Sequence, residues 1–270
     1  MNRAAGQPAT TAHTVLLKLA LIPASILIAS FASRRFGHAI AGILSGMPMI
    51  AAPIMAVLLF DHDAPRVAEI ARATLTSVPA ALAHIVTFAW LAQRAPWWAC
   101  LAGAAAAFAA VGWLVTSLPW PAPWPQLLGL ASPAIALAIM PRAPGLIGGA
   151  PVPHSEILMR MVCAVLVGAA ILIGATHLSA RANGLLLAWP VTGSILPCFT
   201  LPLHGRQATT NLLRGFANGL IGFVTFFVAL TWLLERSVDK LPAFVIALGA
   251  AVVAAWIGHR LRSRAARSRP

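Results

Sequence analysis

Apolar residues in this chain run on for about a bilayer's thickness at a time and stop at charges and prolines. Read this way, they predict helices near 13–33, 37–60, 68–93, 97–118, 125–141, 156–177, 182–203, 209–234 and 241–259. Each is close to the roughly 20 residues an α-helix needs to cross a hydrocarbon core. The fifth is the shortest: it carries Pro133 and follows a proline-rich loop whose Trp120 and Trp124 suit a membrane interface. The expected fold is therefore all-α and polytopic, with nine transmembrane helices and no soluble domain.

Composition agrees: of 270 residues, 60% are hydrophobic and 9% charged, and the mean hydropathy is +0.85. The net charge of +13 would suggest nucleic acid in a soluble protein. Here the arginines stand at span ends and in the tail, so they read as topology charge, and no nucleic-acid partner is expected. With nine spans, one side receives Arg34, Arg35, Arg94, Arg142, Arg206, Arg214 and the tail arginines 260, 262, 264, 267 and 269, eleven in all. The other side receives six, Arg3, Arg66, Arg72, Arg181, Arg236 and Lys240, which places the N-terminus outside and the C-terminus in the cytoplasm. The N-terminal stretch lacks the marks of a removable signal peptide.

The chain repeats itself at an offset of 142. Without a gap, Lys18 falls on Arg160, Gly42 on Gly184, Pro48 on Pro190, His62 on His204, Arg72 on Arg214 and Trp90 on Trp232. Apolar stretches align easily, but these residue types in register over some seventy positions do not. The division that follows is a four-helix repeat over 1–118, a linker with a joining helix over 119–154, a second four-helix repeat over 155–260, and a basic tail over 261–270. If the joining helix crosses the membrane the repeats are inverted, an arrangement common in secondary transporters; if it does not, they are parallel. The charge count favours crossing.

Pro48 and Pro190, with Gly46 and Gly193 beside them, predict kinked or locally unwound helices near mid-membrane at matching positions in the two halves. Interrupted spans at matching positions point to a transport site, although membrane helices tolerate single prolines. Lys18, Arg72, Arg160 and Arg214 lie in the first turns of spans, where a long cationic side chain either snorkels to the interface or lines a pathway. No acidic residue lies at mid-span to neutralise them. That leaves an anion, phosphate, carboxylate or lipid headgroup, as their expected ligand.

His62 and His204 follow the interrupted helices and are candidates for proton coupling or simply solvated loop residues. His84, mid-span and unmatched in the repeat, is expected to bond to a neighbouring helix. Cys100, Cys163 and Cys198 have no metal-ligand spacing, and no enzyme motif or cofactor fingerprint occurs. No metal, cofactor or catalytic residue is expected.

Within each half, a basic residue early in the first helix is followed by a Gly/Pro-broken second helix and a short His-containing loop. "LRG" or "ARAT" then opens the third helix, and in the second half "RSVDKLPAFVIALGAAVVAAW" forms the fourth. This pattern resembles the GlpM family of small four-helix bacterial inner-membrane proteins, best over residues 155–256. The resemblance implies a bacterial inner membrane and a role linked by name to glycerol metabolism and alginate production. The expected function is a transporter or lipid translocase for an anionic solute, in a bilayer and with homo-oligomerisation left open. The alternative is a non-transporting accessory or scaffold protein of envelope or exopolysaccharide synthesis.

Overall fold

The computed structural model describes residues 43–121, 123–142 and 177–267, with isolated helical positions between 155 and 169. Lys18, Gly42, Arg160 and Cys163 lie outside the described residues. The helices are α1 (Ala51–Asp61), α2 (Ala64–Leu91), α3 (Trp97–Ser117), α4 (Trp124–Ile139), α5 (Ala180–Ala188), α6 (Val191–Glu235) and α7 (Lys240–Arg267). Among the described residues no strand occurs, and five segments are long and apolar enough to cross a membrane. The nine-span count is not reached within these residues: 13–33 and most of 156–177 lie outside them, and α4 at 16 residues is shorter than a full span.

Gly205 divides α6. Its φ of 79° and ψ of −178° are non-helical, in a region that glycine alone occupies at no steric cost. The two arms, 191–204 and 206–235, fold back on each other, with Leu196 against Leu212 and Gly193 against the Phe216 ring. In the first half, the extended residues His62 and Asp63 make the corresponding turn between α1 and α2, and Pro65 in the first turn starts the helix where a missing N–H costs nothing.

Helix boundaries fall in step at the 142 offset. The helix over 43–46 answers to the end of α5, α1 to arm 191–204, α2 to arm 206–235, and α3 to the first twenty residues of α7. Equivalent helices α2 and 206–235 run antiparallel. Arg72, near the start of α2, pairs with Glu235 at the end of α6, whereas Gln93, just past α2, donates to Thr210 at 3.0 Å near the start of the second arm.

The contacts sort the helix ends into two groups. One gathers His62, Arg66, Leu178, Glu235 and Lys240, through Lys240 Nζ donating to the His62 carbonyl (2.7 Å) and Arg66 to the Leu178 carbonyl (2.9 Å). The other gathers Trp90, Gln93, Ile139, Thr210 and Arg214, with the Trp90 indole N–H on the Ile139 carbonyl at 3.0 Å.

α2 and arm 206–235 form the centre, where Phe88, Phe226, Phe227 and Ile85 are fully buried with Ile54, Met55 and Leu58 of α1. α3 and α7 flank them through stripes of mostly small residues four apart: Cys100, Ala104, Phe108 and Gly112 on α3, and Ala243, Ala247, Ala251 and Ala255 on α7. Small residues let helix backbones approach where no water is squeezed out and packing alone must drive association. Their other faces carry exposed Trp98, Trp113, Val245, Val252 and Trp256. Apolar surface on this scale fits a helix bundle solvated by lipid.

Candidate functional site

The two prolines interrupt their helices in the same way. The N–H of Met49 bonds back across Pro48 to the Met47 carbonyl (2.7 Å), and the N–H of Val191 across Pro190 to Trp189 (2.9 Å). Pro190, at φ −80° and ψ 71°, is the centre of an inverse γ-turn. Each helix restarts with a 2.7 Å bond to the proline carbonyl, from Ala52 to Pro48 and from Ser194 to Pro190. In both halves, the carbonyl four residues before the diverted N–H, Ser45 or Leu187, loses its usual helical donor.

One of those carbonyls is answered from the other half. The Thr192 hydroxyl donates to the Ser45 carbonyl at 2.9 Å, tying one break to the other. Between them lies a cavity of about 40 Å³, bordered by Gly46, Ile50, Trp189, Pro190 and Phe216. It is large enough for a water molecule and little else.

Each broken helix crosses the long helix of the opposite half at a glycine. A Cβ on Gly184 would lie 2.5 Å from the Ala73 carbonyl carbon and 2.6 Å from Thr74 N of α2. A Cβ on Gly219 would lie 2.8 Å from Gly46 Cα and closer still to the Ile43 carbonyl. Ala73 and Thr74 are offset-equivalent to Gly215 and Phe216, one turn before Gly219, so the two crossings fall within about a turn of each other at the 142 offset.

Arg72 and Arg214 have unlike surroundings. Arg72 pairs with Glu235 and borders a cavity of about 230 Å³ with Glu69, Thr76, Thr116, Trp120 and Arg181; its buried Nε has no hydrogen-bond partner. Arg214 Nη1 donates to the carbonyls of Leu137 (3.2 Å), Met140 (3.3 Å) and Pro141 (3.2 Å), at the C-terminus of α4. A guanidinium there satisfies orphan carbonyls and meets the negative end of the helix dipole. The cavity beside Arg72 and the cavity between the breaks lie at opposite ends of α5: Ala180 borders the first, and Leu186 to Ala188 the second.

The loop histidines sit apart from the breaks. His204 is exposed, and His62 is half-buried with both ring nitrogens shielded and lacking hydrogen-bond partners. His84 is fully buried and does bond to a neighbouring helix: its Nε2 is 3.0 Å from Ser194 Oγ, which also lies 2.9 Å from the Pro190 carbonyl. The edge of Trp189 packs on the imidazole at 5.4 Å between centroids. Sequence reading missed that this partner belongs to the Pro190 break; the signal available was a histidine and a serine at mid-span in two helices. Among the described residues no group of His, Cys, Asp or Glu is arranged to hold a metal ion. No protein-family model matches the chain, and no curated protein or solved structure matches it either.

Proposed function

We propose that the chain is a membrane transporter or lipid translocase for an anionic solute or headgroup bearing phosphate or carboxylate. It works by alternating access between two inverted four-helix repeats joined by α4. The observation that carries this reading is the pair of matched helix breaks meeting across one small cavity, since secondary transporters place their sites at interrupted helices near the interface between repeats. The antiparallel course of α2 and arm 206–235 supports inversion, and the α4 ends, reaching from the Leu118 turn to Trp90 and Arg214, support a ninth crossing with 13–33 and 156–177 as spans. The N-terminus is then outside a bacterial inner membrane and the C-terminus inside. The GlpM-like kinship is part of the same proposal.

Equivalent cations in unequal states fit an alternating cycle. Arg72 and Arg181 border an accessible polar cavity on one face, while on the other Arg214 is occupied by the carbonyls of α4. In this reading an arriving anion displaces Glu235 from Arg72 in this state and Arg214 is a positioning residue, with Lys18 and Arg160 as further ligands on their respective faces. In the second reading, a non-transporting scaffold of envelope or exopolysaccharide synthesis, Arg72 and Glu235 simply hold two helices together.

Flux in reconstituted vesicles separates the two readings. Uptake of inorganic phosphate and of a sugar phosphate, and flipping of a fluorescent anionic phospholipid, are measured for the parent and for Arg72→Gln. The transport reading expects flux of at least one probe and a tenfold or greater loss in Arg72→Gln at unchanged melting temperature. Parent vesicles that move none of the probes, or an Arg72→Gln variant as active as the parent, would overturn it.

A further inference from the structure

A second and larger cavity, about 370 Å³, opens between α2 and α4, away from both breaks. On α2 it is walled by Pro79, Leu82, Ala83 and Val86, and on α4 chiefly by Ile135 and Ile139. α4 comes closest to α2 at Gly129, beside the Leu75 side chain and carbonyl, and toward the other end the Trp90 indole bonds the Ile139 carbonyl, so the groove runs along the helices between these two contacts. Ile135 and Ile139 are more than half exposed, so the groove faces the surroundings of the bundle. Apolar walls of this kind do not retain water. In a bilayer the medium that fills them is hydrocarbon.

The Trp90 end is strongly one-signed. Trp90, an interfacial type of residue, marks the level of the headgroups. Exposed Arg94 follows it by one turn, and exposed Arg142 lies two residues beyond Met140. Arg214 is fixed alongside. The described carboxylates, Asp61, Asp63, Glu69, Glu235 and Asp239, all belong to the opposite group of helix ends, so among the described residues no acid competes for these arginines.

We propose that this groove is a lipid site: one acyl chain of an anionic phospholipid lies between α2 and α4, and its headgroup rests on Arg94 and Arg142. The site is independent of transport and binds a resident lipid of the leaflet on the side of these arginines, bracing α4 against α2.

Native mass spectrometry of the delipidated full-length protein tests it, by titration with phosphatidylglycerol and phosphatidylcholine of identical chains. The first phosphatidylglycerol should bind at least tenfold tighter than phosphatidylcholine. Ala83→Trp, which fills the groove, should weaken that first binding tenfold or more. The double variant Arg94→Gln/Arg142→Gln should leave one lipid bound but erase the preference. Equal binding of the two lipids by the parent, or an Ala83→Trp protein that binds as the parent does, overturns the proposal. Val86→Phe repeats the filling test should Ala83→Trp fail to fold, and the arginine variant, altered only at exposed positions, decides if both do.

Discussion

Replacing Gly184 with alanine adds one methyl group where α5 crosses α2, and the structure fixes what that methyl meets. Its position lies 2.5 Å from the Ala73 carbonyl carbon and 2.6 Å from Thr74 N. Ordinary contact begins at 3.4 Å, so the two helices must part by about 0.9 Å, the difference between 3.4 and 2.5. Both obstacles are backbone and cannot rotate away. Overpacking of this kind costs about 1–3 kcal/mol, and rigid neighbours put it near the upper end. Alanine regains about 1 kcal/mol over glycine in a helix interior, leaving a net loss of about 2 kcal/mol. For a chain of this size that lowers the melting temperature by about 5 °C.

Gly249→Ala in α7 is the matched control, because nothing lies within 4 Å of its added methyl. Only the propensity gain applies there, and the melting temperature should stay level or rise. The assay is maleimide labelling of fully buried Cys100 during heating in detergent. If Gly184→Ala melted with or above the parent, the close crossing of α5 and α2 would be wrong. Gly219→Ala should behave like Gly184→Ala.

Arg214→Met should destabilise more than Arg72→Met, since it orphans three carbonyls at the end of α4, whereas the Arg72–Glu235 pair is about two-fifths exposed and contributes about 0–1 kcal/mol; melting temperatures of the two variants give the order. Arg214→Lys should recover only part of the loss, because an ammonium lacks the planar fork. Ser194→Ala leaves His84 Nε2 buried without its partner and should cost about 1–3 kcal/mol. Ser194→Thr, which keeps the hydroxyl, should recover much of that stability in the same thermal assay. Reporter fusions at Arg94 and Arg142 should read cytoplasmic and those at Arg66 and Arg181 external; Arg142 and Arg181 on swapped sides would remove the crossing of α4.

Long apolar helices were legible in the sequence because a bilayer leaves few other ways to satisfy backbone polar groups. The breaks at Pro48 and Pro190 were legible too, since a proline deletes a donor wherever it stands, and the offset of 142 drew attention to both. What the sequence could not supply was the partner of each freed group. That Thr192 answers the Ser45 carbonyl, or that Arg214 answers the end of α4, depends on which helices are neighbours, and apolar periodicity says little about that when hydrocarbon and protein core are equally apolar. The equivalence of Arg72 and Arg214 shows the consequence. In sequence they are one position repeated, and any role given to one passes to the other. In the fold, the end of α4 meets Arg214 and not Arg72, so among the described residues one cation is a cap and the other, paired with Glu235, stands beside a cavity. Under the proposed inverted arrangement, two repeats without such a joiner would face both sides of the membrane alike, and α4 is what would make the two faces unequal.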